Sequence, residues 1–206
     1  MKPFDFPEGA TPLHDYSGLI SKTILTQHDL NREEAENIHI AQKKYLTKKV
    51  PAPTTWFNIP FLKIIHKTML NHVWSWAGEF RKSVTSIGIK PYRIPFELGE
   101  LCADVQAWQH EGITLSKLEQ AARIHHRLVS IHPFENGNGR FSRMVADRYL
   151  IASGCKHPHW PYLEDTGDIR SIYIQSLKAA DQGDYDPLIN LMRQFGASEK
   201  KECTKT

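Results

Sequence analysis

The sequence of 206 residues is short of several features that would mark its class. It contains only three cysteines, Cys102, Cys155 and Cys203, and an odd number spread this far apart forms no disulfide framework, which favours a reducing compartment. No stretch approaches the roughly 18 consecutive apolar residues of a membrane span, and the N-terminus lacks the apolar core of a signal peptide. We therefore expect a cytoplasmic protein without membrane contact.

The chain also lacks an excess of charge of either sign. Its 26 lysines and arginines stand against 23 aspartates and glutamates, a formal net charge of +3, and the basic residues are scattered. A nucleic-acid surface would concentrate them on one patch or stripe. Charge therefore gives no support to a nucleic-acid partner.

Apolar residues recur at three- to four-residue spacing along most of the chain, which predicts an all-α domain. We expect an irregular N-terminal arm over residues 1–29, a domain over 30–196 and a disordered tail over 197–206. The predicted helices cover residues 32–47, 58–76, 97–108, 117–131, 139–153, 169–180 and 188–195. Between the second and third helices, β-branched residues, a central Gly88 and closing prolines predict a small β-hairpin within 78–95.

The densest group of polar residues is the segment HPFENGNGRFSR, which opens with His132 and ends with Arg143. Gly137 and Gly139 let the backbone approach a ligand closely, and the first amides of the following helix lack helical partners, so the junction suits phosphate oxygens. Arg140 and Arg143 share a face of that helix and can bind further phosphate charge. The imidazole of His132 is largely neutral at physiological pH, which makes it our candidate general base.

Each of these pieces alone has an ordinary explanation, because Gly-Asn-Gly is commonly a turn and a histidine before proline is commonly structural. Their contiguity favours a polyphosphate site. The sequence G-x-x-x-x-G-K-[ST] of a P-loop is absent, so such a site is not of the Walker type.

The same twelve residues resemble the Fic motif, H-P-F-x-[D/E]-G-N-G-R-x-x-R, at every specified position but one. Three more segments look like Fic proteins: WSWAGEFR, ARIHHRLVSIHPF and YIQSLKAADQGDYDPLINLM. The opening FDFPEGATPL, with the deviating residue of the motif, looks like the prokaryotic Fic subgroup labelled mobile mystery protein B. The resemblance implies a Fic-type helical fold with a β-hairpin flap before the active-site helix-loop-helix.

The resemblance also implies a protein adenylyltransferase that uses ATP with Mg²⁺ or Mn²⁺. His132 would deprotonate a target hydroxyl, which attacks the α-phosphate and expels pyrophosphate, while Phe134 anchors the loop. The implied catalytic residues are His132, Asn138, Arg140 and Arg143. The implied ATP-binding residues are Phe134, Asn136, Gly137, Asn138, Gly139, Arg140 and Arg143. The implied flap residues, which would align the target by strand pairing, are Thr85, Ser86, Ile87, Gly88 and Ile89.

The departure from the motif is Asn136, where the family has the Asp or Glu that holds Mg²⁺. A neutral amide oxygen should bind the ion more weakly than a carboxylate does. Because the amide carbonyl and water still offer oxygens, we retain catalysis. A catalytically silent nucleotide-binding module, deAMPylation and another nucleotidyl or phosphoryl transfer stay open as alternatives.

Many Fic proteins carry an inhibitory helix with the sequence [S/T]-x-x-x-E-[G/N], whose Glu pairs with the second arginine of the motif. Glu36 and Asn37 fit the end of this pattern, although Arg32 stands where Ser or Thr belongs. The resemblance therefore suggests an inhibitory contact between Glu36 and Arg143. The target protein is unknown from sequence, and an antitoxin-like or oligomeric partner stays open.

Overall fold

The computed structural model describes residues 18–21, 24, 26–47, 49–110, 112–161 and 167–199. Helices make up most of this part of the chain. They are α1 Gln27–Tyr45, α2 Pro53–Trp56, α3 Ile59–Leu70, α4 Ile94–Ala107, α5 Lys117–Ile131, α6 Asn138–Ala152, α7 Gly167–Asp181 and α8 Asp186–Gln194. A 3-10 turn, Pro91–Arg93, leads directly into α4.

The centre of the fold is the pair α5 and α6, which pack against each other along their length. Helix α3 contacts α6 and carries α1 on its outer side, while α7 and α8 pair with each other and lie against α5. Fully buried side chains of the central pair include Leu128, Phe141, Val145 and Tyr149. The short connection between α5 and α6 therefore joins the two helices at the centre of the fold.

Local capping decides where the helices begin. Ser116 caps α5 by accepting the Glu119 amide at 3.2 Å, as its S-x-x-E sequence predicts. The predicted start of the first helix at residue 32 is wrong, because Thr26 and Asp29 form a capping box earlier in the chain. The predicted end of the second helix at residue 76 is wrong too, since α3 begins after the Asn58 cap and ends at Leu70.

The predicted β-hairpin is also wrong, since residues 78–95, all of which are described, contain no strand. The carbonyls of Ser83 and Ile89 would enter a hairpin ladder, but both accept hydrogen bonds from the Arg81 guanidinium instead. The Thr85 hydroxyl closes a local turn by donating to the Ile87 carbonyl at 2.5 Å. We call residues 81–90 the flap.

The two ends of the chain are described only in part. Residues 1–17 of the predicted arm and 200–206 of the predicted disordered tail lie outside the described residues. Ser198 exchanges backbone hydrogen bonds with Lys156 at 2.9 and 3.2 Å, and Glu199 accepts the Leu118 amide at 3.3 Å. Ser198 and Glu199 are therefore hydrogen-bonded to the rest of the fold, and disorder of the tail stays a prediction. Among the described helices, none combines the length and apolar character needed to cross a bilayer.

Candidate active site

Two residues in the left-handed backbone region reverse the chain between α5 and α6. His132 ends α5 with φ 52°, the only positive φ of a non-glycine residue in the described chain, and Gly137 precedes α6 with φ 76°. A Cβ on Gly137 would lie 2.8 Å from Leu70 Cδ1. Both the positive φ and this close approach therefore favour glycine over any other residue at this position. The loop thus sets the imidazole at one end and the start of α6 at the other.

The loop is fastened to the core through Phe134, which is fully buried. Its ring stacks on His66 with centroids 3.6 Å apart and meets Phe141 edge-on at 5.0 Å. Asn138 closes the turn from inside, because its Oδ1 accepts the Phe134 amide at 2.9 Å and its Nδ2 donates to the Phe134 carbonyl at 2.7 Å. Phe134 and Asn138, predicted as ATP-binding residues, therefore shape the loop in this structure.

His66 on α3 is a loop-positioning residue that the sequence analysis did not single out. Its Nε2 donates to the Asn136 carbonyl at 3.0 Å, and its Nδ1 accepts the Gly78 amide at 2.9 Å. Burial lowers the pKa of His66 to about 3, partly opposed by the bond to Asn136, so the ring is neutral at physiological pH. Its place on the buried stripe of α3, three residues before Met69, was the available sequence signal.

His132 is buried with 7% exposure. Burial lowers the pKa of its imidazole to about 4, the Arg81 charge acts in the same direction, and the Val129 carbonyl opposes them. The flap packs directly against this residue, because a Cβ on Gly88 would lie 2.5 Å from His132 Cβ. The imidazole is therefore unprotonated at neutral pH, as a general base must be.

The remaining predicted flap residues lie on both sides of this contact. The Ile89 amide donates to the Ile131 carbonyl at 3.4 Å, which connects the flap to the end of α5. Ser86 and Ile87 are exposed, whereas Thr85 is half-buried. The structure thus brings the segment predicted to dock the target next to His132, although this segment does not form the predicted hairpin.

The first turn of α6 forms the other side of the loop, and we call residues 134–143 the cradle. Gly137 has no side chain with which to cap α6, so the first amide groups of the helix lack a side-chain acceptor. A Cβ on Gly137 would lie 3.9 Å from Arg140 Nη2, and a Cβ on Gly139 would lie 3.9 Å from Arg143 Nη1. Two guanidinium groups therefore flank a helix N-terminus, which is a favourable place for an anion.

The two arginines of the cradle have different neighbours. Arg140 Nη1 lies 2.6 Å from Glu34 Oε2 of α1, while the Arg143 guanidinium lies over the rings of Trp160 and Tyr173 at 5.8 and 5.7 Å. They therefore reach out of the first turn of α6 towards opposite sides of the fold.

The structure does not bring Glu36 to Arg143. Glu36 is exposed on α1, and no ion pair joins these two residues within the described chain. Glu34, two residues earlier, is 3% exposed; besides Arg140 it accepts the Trp74 indole N–H at 2.7 Å. The charged contact from α1 to the motif thus involves a different glutamate and a different arginine from the predicted pair.

The side-chain oxygens around Asn136 do not form a binding site for a magnesium ion. Asn136 Oδ1 accepts the Gly137 amide at 2.7 Å, and Glu135 turns away to accept the Ser83 hydroxyl at 2.9 Å. No group of three His, Cys, Asp or Glu side chains with metal-binding geometry occurs among the residues described. A single neutral oxygen is a poor set for Mg²⁺, which prefers carboxylate oxygens in octahedral geometry.

The chain is similar in sequence to curated proteins of known activity. The chain is 30% identical over 162 residues to "Protein adenylyltransferase Fic" of Drosophila mojavensis, an alignment that covers 76% of this chain and 28% of that protein. The protein of the same name from Drosophila melanogaster is 32% identical over 131 residues, covering 62% of this chain and 26% of that protein. The chain thus spans little more than a quarter of these relatives.

Two solved structures share the fold. BepC of Bartonella tribocorum with bound AMPPNP superposes with a TM-score of 0.63 at 20% identity, covering 84% of this chain and 89% of that one. The Fic domain of a putative cell filamentation protein from Bartonella quintana, with bound ADP, gives a TM-score of 0.63 at 22% identity and covers 95% of both chains. Nothing in these comparisons supports the narrower mobile mystery protein B subgroup. The model of the Fic/DOC family matches residues 56–150, and the chain therefore contains a Fic/DOC family domain.

Proposed function

We propose that this protein transfers AMP from ATP to a hydroxyl group of another protein. The observation that carries the proposal is a neutral, buried His132 beside an uncapped helix N-terminus flanked by Arg140 and Arg143. The relatives named adenylyltransferases and the neighbours with bound AMPPNP or ADP support it. Because the chain spans about a quarter of those relatives, their activity applies here as a proposal.

In the proposed reaction, the His132 imidazole takes the proton of the target hydroxyl. The hydroxyl oxygen forms a bond to the α-phosphorus of ATP, the bond from that phosphorus to the bridging oxygen breaks, and pyrophosphate leaves with the electron pair. Amides of the cradle hold the phosphate oxygens, and Arg140 and Arg143 meet the charge that develops on the leaving group. Positioning and electrostatics supply most of the rate.

Two contacts must be exchanged before ATP occupies the cradle. The Asn136 amide oxygen must leave the Gly137 amide, and the Arg140 guanidinium must share or replace Glu34 as its partner. Mg²⁺ or Mn²⁺ would enter as the counter-ion of ATP, held mainly by phosphate oxygens and water. No step of the proposed reaction depends on a metal site built by the protein.

The flap is the proposed docking segment for the target. Its exposed residues Ser86 and Ile87 lie beside Gly88, which contacts His132. A target segment that pairs with main-chain groups here would bring its hydroxyl to the imidazole, and such pairing tolerates varied target sequences.

A catalytically silent nucleotide-binding module is the second candidate, and Asn136 favours it. Without the carboxylate, the site loses the anionic oxygen that would hold the metal ion, and metal-assisted charge stabilisation contributes several kcal/mol in phosphoryl chemistry. Binding of ATP without transfer is the outcome expected from this candidate.

The test is incubation of the protein with ATP labelled at the α-phosphate, Mg²⁺ or Mn²⁺, and cell lysate, beside the His132→Ala variant. Label on a protein band with wild type and not with the variant supports AMP transfer. Label that appears only from γ-labelled ATP indicates phosphorylation instead. Calorimetric binding of ATP with no label on any protein supports the silent module.

A further inference from the structure

A single buried guanidinium joins the flap to the catalytic loop. Arg81 is 2% exposed, and the N–H groups of its guanidinium donate to backbone carbonyls. On the loop side, its Nε donates to the His132 carbonyl at 2.5 Å and its Nη2 approaches the Ile131 carbonyl at 3.4 Å. On the flap side, its Nη1 donates to the Ser83 carbonyl at 2.7 Å and its Nη2 to the Ile89 carbonyl.

Besides Arg81, the Ile131 carbonyl has the Ile89 amide as a donor at 3.4 Å. The carbonyls of Ile131 and His132 lie at the C-terminus of α5, where helical carbonyls lack intrahelical donors. His132 also holds a positive φ, which a non-glycine residue keeps only when its surroundings fix it. Arginine suits this place because its planar fork offers five N–H donors in fixed directions.

A second connection runs parallel to the first. Glu135 of the cradle accepts the Ser83 hydroxyl at 2.9 Å and the Lys82 amide at 3.3 Å, while the Arg81 amide donates to the Pro133 carbonyl at 3.0 Å. The flap therefore meets the loop on both sides of His132. Moving the flap relative to His132 would break several of these bonds together.

We propose that Arg81 is the positioning residue that fixes the flap, and with it the target hydroxyl, relative to the His132 imidazole. The inference rests on the proposed function, in which the flap docks the target. Arg81 acts through backbone carbonyls on both sides and has no contact with the cradle amides. Its loss should therefore harm transfer to protein and leave ATP binding intact.

The test compares Arg81→Lys with Arg123→Lys, a matched control on α5 whose arginine pairs with Glu119 at 2.8 Å, remote from the flap. Lysine keeps the positive charge but lacks the planar guanidinium group that donates to several carbonyls at once. We expect Arg81→Lys to lower kcat for AMP transfer by about tenfold or more, with KM for ATP within about twofold of wild type. The control should match wild type in both constants. Equal kcat for wild type and Arg81→Lys would overturn the proposal, and so would a parallel loss of ATP affinity.

Hydrogen exchange provides a readout that does not depend on transfer. In Arg81→Lys, amides of residues 82–90 and 131–135 should exchange faster together, while the centres of α5 and α6 stay protected. Unchanged exchange in either segment contradicts the coupling. If wild type transfers no AMP, the proposed function fails, and the exchange result still decides whether Arg81 couples flap and loop. Should Arg81→Lys not fold, Glu135→Gln at the half-buried second connection replaces it, with a smaller effect in the same direction expected.

Discussion

On one side of His132 lies the cradle, whose turn is closed by a side chain four residues away; on the other lies the flap, which is held to the loop by bonds between residues far apart in the chain. In the cradle, Asn138 bonds the backbone of Phe134 four residues away. The bond from Arg81 to the His132 carbonyl spans 51 residues. The turn inside the cradle is thus closed locally, with one added bond from His66 of α3, whereas the bonds of Arg81, Ile89 and Glu135 that hold the flap to the loop all join residues far apart in the chain.

Removing the imidazole between the two sides should have the largest effect. We expect His132→Ala to slow AMP transfer by about 10²–10⁴-fold, because a positioned general base contributes that much. ATP binding should be unchanged, since cradle amides and arginines hold the phosphates. Initial rates with α-labelled ATP and calorimetric titration measure the two quantities. Transfer at the wild-type rate by the variant would remove His132 from the mechanism.

The second-largest expected effect is on the pH dependence of the reaction, which follows from the pKa of His132. Its pKa is lowered to about 4 by burial first and the Arg81 charge second, so the active neutral form persists until the pH falls through about 4. We expect kcat/KM to stay within about twofold between pH 5 and 7.5, whereas a base of ordinary pKa would lose about thirtyfold by pH 5. An acid limb near pH 6.5 would contradict this environment for His132.

Folding must be followed at the same pH values. The pKa values of His66 and His125 are lowered to about 3, mainly by burial, so both are neutral when folded and take up protons on unfolding below about pH 6.5. Their contribution to stability is full above that pH and declines as the pH falls. Circular dichroism at each pH separates this loss from titration of His132.

Alanine at two glycines should separate the flap from the cradle. Gly137→Ala adds a Cβ 2.8 Å from Leu70 Cδ1 at φ 76°, and Gly88→Ala adds one 2.5 Å from His132 Cβ at φ 108°. We expect Gly137→Ala to weaken ATP binding by about tenfold, because the amides of the first turn of α6 shift. Gly88→Ala should lower transfer by a similar factor and leave ATP affinity unchanged.

The control for both is Gly183→Ala, where φ is +86° and no atom lies within 4 Å of the added Cβ. It should cost about 1 kcal/mol of unfolding free energy from backbone strain alone, with normal ATP binding and transfer. Equal loss of ATP affinity in the Gly88 and Gly137 variants would abolish the distinction between flap and cradle.

Asn136→Asp alters the cradle alone. The carboxylate supplies the anionic oxygen that Mg²⁺ favours, so we expect transfer no slower than wild type and half-maximal at a Mg²⁺ concentration several-fold lower. Rates across a Mg²⁺ titration measure this, with Asn136→Ala as the variant lacking any side-chain oxygen. A strong loss of transfer in Asn136→Asp would show that the amide itself is required.

The same contrast explains what could be predicted from the sequence. The start of α5 follows from Ser116 and Glu119 three residues apart, and the helix-loop-helix follows from glycines and polar residues between two periodic segments. The hairpin prediction for the flap is wrong because two of its carbonyls accept hydrogen bonds from the Arg81 guanidinium and not from a neighbouring strand. The pattern of β-branched residues contains no information about such a side-chain contact.

The start of α1 shows the same limit. Asn31 and Glu34 look like a cap in the sequence, and so do Thr26 and Asp29. The structure uses Thr26 and Asp29, because Glu34 bonds Arg140, 106 residues later, and Trp74, 40 residues later. Choosing between two equivalent local signals required knowledge of contacts that no local pattern contains.

Glu34 also gives the smallest expected effect. In Glu34→Gln the amide oxygen can still accept the Trp74 indole N–H, while the charge opposite Arg140 is lost. Since Arg140 must turn from Glu34 to phosphate, we expect ATP affinity to rise about two- to fivefold, in keeping with the modest worth of one partly exposed ion pair. Glu36→Gln, on the exposed face of α1, should leave affinity unchanged. Weaker ATP binding in Glu34→Gln would mean instead that the carboxylate orients Arg140 for the ligand, and phosphate binding by the cradle would then depend on a contact between residues 106 positions apart.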